Sequence, residues 1–117
     1  MSAKLLEATV RPMNGTVIID LCGDIDGTAE QALNAAYAEG IASNPASVLL
    51  NFSGVEYINS TGIALIVGVL AQARKAKRPI STFGLSDHYT EIFQITRLAD
   101  FMGIYPDEAS ALSHQSS

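Results

Sequence analysis

An α/β domain with a mixed, mostly parallel central sheet is the fold that the sequence predicts. Three observations carry that expectation. The dipeptide Asn14-Gly15 is a hairpin signal between two β-type segments. Beyond it, short apolar runs alternate with segments of helical period. Turn-forming Gly, Pro, Asn or Ser residues mark each change. Strands alternating with helices imply right-handed crossovers and therefore parallel neighbours. The expected order is β-β-α-β-α-β-α-(β)-α, with about four or five strands and about four helices. The 117 residues are enough for one domain, residues 1–117, with its core in residues 5–112 and a disordered tail at 113–117.

Taken in order, Leu5 to Arg11 alternates weakly and gives the first strand. Thr16 to Leu21 is a β-branched run and gives the second. Gly23-Asp24-Ile25-Asp26-Gly27 reads as the loop leaving it. A helix is expected from Thr28, because Thr28 and Gln31 have capping-box spacing. Ala29, Ala32, Leu33, Ala36, Tyr37 and Ile41 then mark one helical face, and Gly40 with Asn44-Pro45 ends it. Ser47 to Phe52 holds Val48-Leu49-Leu50, as a central strand buried on both faces would. Ser53 to Ser60 reads as a loop, and Thr61 to Lys75 as the second helix. The first half of that helix is apolar nearly all round, so deep burial is expected. Ile80 to Phe83 is the next strand. Ser86 or Asp87 caps a third helix with Tyr89, Ile92 and Phe93 on one face. Ile104-Tyr105 is a candidate edge strand, and Pro106-Asp107 opens a last helix through Leu112. His114 to Ser117 reads as a frayed end.

Hydrophobic residues make up 48% of the chain and charged residues 16%, which excludes intrinsic disorder. No apolar run approaches the roughly 20 residues that cross a bilayer, and no apolar stretch follows Met1-Ser2-Ala3-Lys4 as in an export signal. The single cysteine, Cys22, rules out an intramolecular disulfide, a cysteine zinc cluster and a CxxC pair. A reducing cytoplasm is the expected compartment. Cys22 ends an apolar strand, so a buried, inert thiol is expected. The net charge of −5 argues against nucleic-acid binding and for a basic protein surface as partner. The one basic cluster, Arg74-Lys75-Lys77-Arg78, falls at a helix end, where cations complement the dipole.

Catalytic and cofactor signatures are sparse. Reading Asp24 and Asp26 as calcium-loop positions 3 and 5 puts Cys22 and Leu33 where carboxylates belong, so no EF-hand is expected. Asp20, Asp24 and Asp26 offer a magnesium alternative, against which solvated loop acids are the favoured reading. His88 and His114 are the only histidines, and neither stands in a nucleophile motif. The Walker A, GxGxxG and GxSxG patterns are missing, so no cofactor is expected.

The informative segment runs from Asn51 to Gly62, joining a central strand to a helix. Ser60 stands at the helix start, where the plain structural role is an N-cap worth about 1 kcal/mol. Gly62 is a poor helix former in the first turn; close packing against the sheet is its plain structural role, and room for another molecule to approach Ser60 is its functional one.

At these residues the chain resembles the STAS domain of bacterial anti-sigma factor antagonists. Tyr57-Ile58-Asn59-Ser60-Thr61-Gly62 is similar to the family's phosphorylation motif, Asp-Ser-(Ser or Thr)-Gly, after a strand here containing Val48-Leu49-Leu50. Leu21-Cys22-Gly23-Asp24-Ile25-Asp26 is similar to its Gly-x-Leu-Asp loop, and Ile92 to Phe101 to its C-terminal helix region. The resemblance covers residues 5–112 in order. It implies a STAS-like sheet and a switch rather than an enzyme. The unmodified protein would bind a GHKL-type serine kinase that is also an anti-sigma factor, and so release a sigma factor. Phosphorylation of Ser60 would end that binding, and a PP2C-type phosphatase would restore it. Asp24, Asp26, Asn59, Thr61 and Gly62 would form the partner-binding surface around Ser60. One departure stands out: Asn59 occupies the place of the family's usual Asp, removing one negative charge. The alternatives are a non-switching subunit of a stressosome-like or lipid-transport ABC assembly, and a small hydrolase or nucleotide-binding enzyme using Ser60 or Asp24 and Asp26.

Overall fold

Asn14 and Gly15 both take positive φ, 53° and 84°, as a two-residue type I′ turn requires. The turn fixes the register of an antiparallel hairpin, from Met13 opposite Thr16 to Glu7 opposite Cys22. Its strands are β1 (Glu7–Met13) and β2 (Thr16–Ile25) in the computed structural model, which describes residues 4–115. Three further strands lie parallel to β2: β3 (Ser47–Ile58), β4 (Ile80–Phe83) and β5 (Gly103–Tyr105). Their spatial order is β1-β2-β3-β4-β5, the same as their order in the chain.

Helices α1 (Glu30–Ile41), α2 (Ser60–Lys75) and α3 (Asp87–Ile95) make the successive crossovers. A sheet that grows in one direction through crossovers of one hand places all of them on one face. The main core lies on that face, where Val17, Ile19, Val48, Leu50 and Phe52 meet Leu33, Tyr37, Ile66, Leu70 and Phe93. The other face carries Ile18, Leu49 and Phe83, which pack with Ala111 and Leu112 of α4 (Glu108–Gln115). Arg11 of β1 donates to Asp20 of β2 and to Glu108 of α4, and so ties α4 to the sheet.

The fold class and the element order match the sequence expectation, with five strands and four α-helices among the described residues, but several boundaries differ. β1 begins at Glu7 rather than Leu5 and runs to Met13. The expected loops at Gly23–Gly27 and Ser53–Ser60 are mostly strand. β2 and β3 stay paired to Asp24 opposite Tyr57 and Ile25 opposite Ile58, across two register shifts. Gly23 suits this irregular pairing, with φ of 115° and the Leu5 carbonyl oxygen only 2.6 Å from where a β-carbon would stand. Asp26, not Thr28, caps the next helical segment, accepting from the Thr28 backbone N–H into a 3₁₀ turn before α1. Cys22 is exposed rather than buried, because Leu21 takes the core side of β2 and alternation turns Cys22 to the other. The first half of α2 is buried along one stripe only. Gly62 and Ile66 face the core, while Ala64, Val67 and Gly68 face solvent, as befits a helix in an outer layer. Residues 113–115 belong to α4, and residues 116–117 of the expected tail lie outside the described residues.

Candidate functional site: the turn into helix α2

β2 and β3 outrun β4, which pairs with β3 only from Val48 to Asn51. The ends of the two long strands therefore project together, and the chain leaves β3 for α2 at their tip. Three backbone contacts weld this tip. The Asn59 N–H donates to the Ile25 carbonyl at 3.2 Å. The Ile63 N–H donates to the Asn59 carbonyl at 2.9 Å, opening the helix. Gly62 lies against Ile25 so closely that a β-carbon there would overlap the Ile25 carbonyl oxygen. Close packing is thus the structural role of Gly62, as the sequence implied.

Asn59, rather than Ser60, is the N-cap. Its backbone is extended, with φ −97° and ψ −177°, and its side-chain oxygen accepts from the Gly62 N–H at 2.8 Å. The cap needs only an acceptor oxygen, so Asn serves as well as Asp here. Ser60 is thereby freed of the capping role and becomes the first helical residue, exposed beside exposed Thr61. The first-turn N–H groups of a helix have no intrahelical partner and carry its positive dipole end. An anion on the Ser60 hydroxyl would sit against both.

The neighbouring loop supplies two acids in different settings. Asp26 accepts from the Thr28 hydroxyl and the Thr28 backbone N–H, which together hold its carboxyl below the usual range. The residue after it, Gly27, lies near enough to Thr61 that a β-carbon added there would just meet the Thr61 methyl group, at 3.7 Å. Asp24 is half-buried and turned to the start of the chain, accepting from the Lys4 backbone N–H at 3.1 Å. Lys4 in turn approaches Glu56 at 3.9 Å, both of them exposed. The structure therefore gathers Asp26, Asn59, Ser60, Thr61 and Gly62 at one tip, and sets Asp24 slightly back from it.

Asp20 belongs elsewhere. It accepts from Arg11 and from the Asn51 side chain, and the Arg11 guanidinium holds its carboxyl below the usual range. Asp20, Asp24 and Asp26 thus occupy three separate environments. Among the described residues no three His, Cys, Asp or Glu side chains converge as metal ligands would. Two contributors to the tip escaped the sequence reading. Tyr57 stands 51% exposed on the projecting end of β3. Tyr89 of α3 accepts from the Ile58 N–H through its hydroxyl. The first was visible only as an aromatic beside the motif, and the second depends on tertiary contact.

Residues 7–111 match the STAS domain family. The chain belongs to that family. Among its relatives is the anti-sigma-F factor antagonist RsfB of Mycobacterium tuberculosis, 29% identical over 68% of this chain and 75% of RsfB. The crystal structure of an anti-sigma factor antagonist from Mycobacterium paratuberculosis superposes with a TM-score of 0.84, at 20% identity over 96% of this chain and 95% of that one. SpoIIAA in its unphosphorylated form gives a TM-score of 0.71, at 16% identity over 93% of this chain and 96% of that one. Its phosphorylated form, from Bacillus, gives 0.70, at 20% identity over 92% and 97%. In this STAS domain no helix of the described residues is long and apolar enough to cross a membrane.

Proposed function

We propose that this STAS domain is an anti-sigma factor antagonist that works by partner switching in the cytoplasm. In the unmodified state it binds a GHKL-type serine kinase that acts as anti-sigma factor, and a sigma factor is released. The kinase transfers a phosphoryl group to the Ser60 hydroxyl and the complex parts. A PP2C-type phosphatase hydrolyses the phosphoserine and resets the switch. The docking surface comprises Asp26, Asn59, Thr61 and Gly62 around Ser60, with Asp24 at its edge. On this reading the chain is a substrate and ligand rather than an enzyme.

The observation that carries the reading is the exposure of Ser60 at the first position of α2, on a turn clamped by Asn59 and Gly62. A phosphate brings about −1.5 to −2 charges. At a helix N-terminus those charges meet the dipole and free N–H groups, so the fold tolerates them. The interface does not, because a dianion beside Asp26 must be desolvated on binding. The similar superposition on unphosphorylated and phosphorylated SpoIIAA, 0.71 and 0.70, supports a switch that leaves the fold in place. The antagonist names of the relatives support the partner class. Asn59 keeps the cap and removes a charge that would face the phosphate.

The test is intact-mass and peptide-mapped phosphorylation of the purified chain, with ATP and each GHKL-type kinase of its own genome. One phosphate on Ser60, added by one kinase and lost in Ser60→Ala, is the expected result. Modification at Thr61 alone would move the acceptor by one residue. No modification by any active kinase would replace this reading by that of a non-switching assembly subunit.

A further inference from the structure

Ile58 is the last residue of β3, and its N–H lies on the side away from β2. The next N–H, that of Asn59, goes to β2 at Ile25, and successive backbone groups of a strand point to opposite sides. On the far side β4 would be the natural partner, but its pairing with β3 stops at Asn51. A buried N–H without an acceptor is costly. The acceptor here is the Tyr89 hydroxyl oxygen, 2.9 Å from the Ile58 nitrogen in a buried contact. A side chain from α3 thus replaces a missing strand at the residue two positions before Ser60.

Tyr89 is itself fixed from several directions. Its backbone N–H donates to the capping Ser86 hydroxyl at 3.3 Å. The His88 ring meets its ring edge-on, with centroids 4.8 Å apart. One α3 turn further, Phe93 packs edge-on against Phe52 of β3 at 5.8 Å, locking α3 over that strand. We propose that Tyr89 is a positioning residue for the Ser60 turn, holding the end of β3 so that the hydroxyl of Ser60 is presented in one geometry. The proposal rests on Ser60 being the acceptor. Phosphoryl transfer needs the attacking oxygen in line with the leaving group, and small misplacements lower its rate steeply.

Tyr89→Phe removes the acceptor oxygen and leaves the ring. Tyr37→Phe is the control, since the buried Tyr37 hydroxyl has no hydrogen-bond partner among the described residues. Amide hydrogen exchange and steady-state phosphorylation by the cognate kinase are measured on both. In Tyr89→Phe the hydrogen-bonded amides of the tip, Ile58, Asn59, Gly62 and Ile63, are expected to exchange about tenfold faster, with those of Ile18, Ile19, Leu49 and Leu50 unchanged. The kcat for Ser60 is expected to fall about three- to tenfold with KM nearly unchanged, since docking residues stay in place. Tyr37→Phe is expected to match wild type in both readouts. Unchanged exchange at Ile58, Asn59, Gly62 and Ile63, or unchanged kcat, overturns the proposal. A uniform rise in exchange across the sheet overturns it too, because the hydroxyl would then serve general stability. A wild-type chain that no kinase modifies removes Ser60 as acceptor, and the exchange pattern alone then decides whether Tyr89 holds the turn.

Discussion

Gly62 and Gly68 lie six residues apart on α2 and sit in opposite surroundings. A β-carbon at 62 collides with the Ile25 carbonyl, which is backbone and cannot swing aside, whereas one at 68 meets, beyond its own helix backbone, nothing within 4 Å among the described residues. Gly62→Ala is therefore expected to destabilise the domain by about 2–3 kcal/mol, because the start of α2 must lift from β2. Gly68→Ala is expected to stabilise it by about 0.5–1 kcal/mol, the helix propensity difference with no packing to oppose it. Urea titrations of both variants check the signs, and a Gly62→Ala as stable as wild type would contradict the welded tip. The same residues show what local sequence conveys. That Gly62 packs closely was one of two readings the sequence offered, beside room for a partner at Ser60, because a glycine is a poor helix former in a first turn. That Asn59 rather than Ser60 caps the helix was not legible, since both are good caps and the choice depends on where β3 ends.

At the scale of elements, the sequence reads well where a segment's own pattern decides it and poorly where a neighbour does. The Asn14-Gly15 turn and the three crossover helices were visible because turn chemistry and helical period are local. The outer halves of β2 and β3 were not, because their glycines and acids look like loop until the two segments pair. The attachment of α4 was equally hidden, since Arg11 and Glu108 lie 97 residues apart in the chain. That attachment makes a pH prediction. Arg11, with help from Asn51, holds the folded-state Asp20 carboxyl below its ordinary value, against the opposing effect of burial. A group lowered on folding stabilises the fold above its unfolded value, about pH 4, and loses that contribution as pH falls through the folded value. Denaturant stability is thus expected to decline below about pH 4, and Asp20→Asn to flatten that decline. Arg11→Met is expected to cost about 1 kcal/mol and to speed amide exchange in α4 more than in α1. Equal loosening of α1 and α4 would show that Arg11 supports the hairpin rather than the helix.

For the whole molecule, the net charge of −5 sets a constraint on how a phosphate can act. An acidic domain is drawn to a basic partner face at long range, and added negative charge strengthens that attraction. If Ser60 is the switch proposed above and its partner face is basic, phosphorylation would not separate the two by weakening their encounter. In the proposed switch it would act after contact, where a phosphate on Ser60 would be buried at the tip near Asp26 and would have to shed its water. The tip is held by backbone contacts among Ile25, Asn59 and Ile63, none of which involves the Ser60 hydroxyl. The modified domain should accordingly keep its melting temperature within a few degrees while losing affinity about a hundredfold or more, a difference of about 3 kcal/mol. The loss should lie in dissociation. The koff for the kinase is expected to rise about a hundredfold, while kon stays equal or increases slightly and falls with added salt in both forms. Stopped-flow association at several ionic strengths, with calorimetric melting of both forms, separates the two cases. A collapse of kon at constant koff would mean that the partner presents an acidic face, and the charge argument for a basic one would fail.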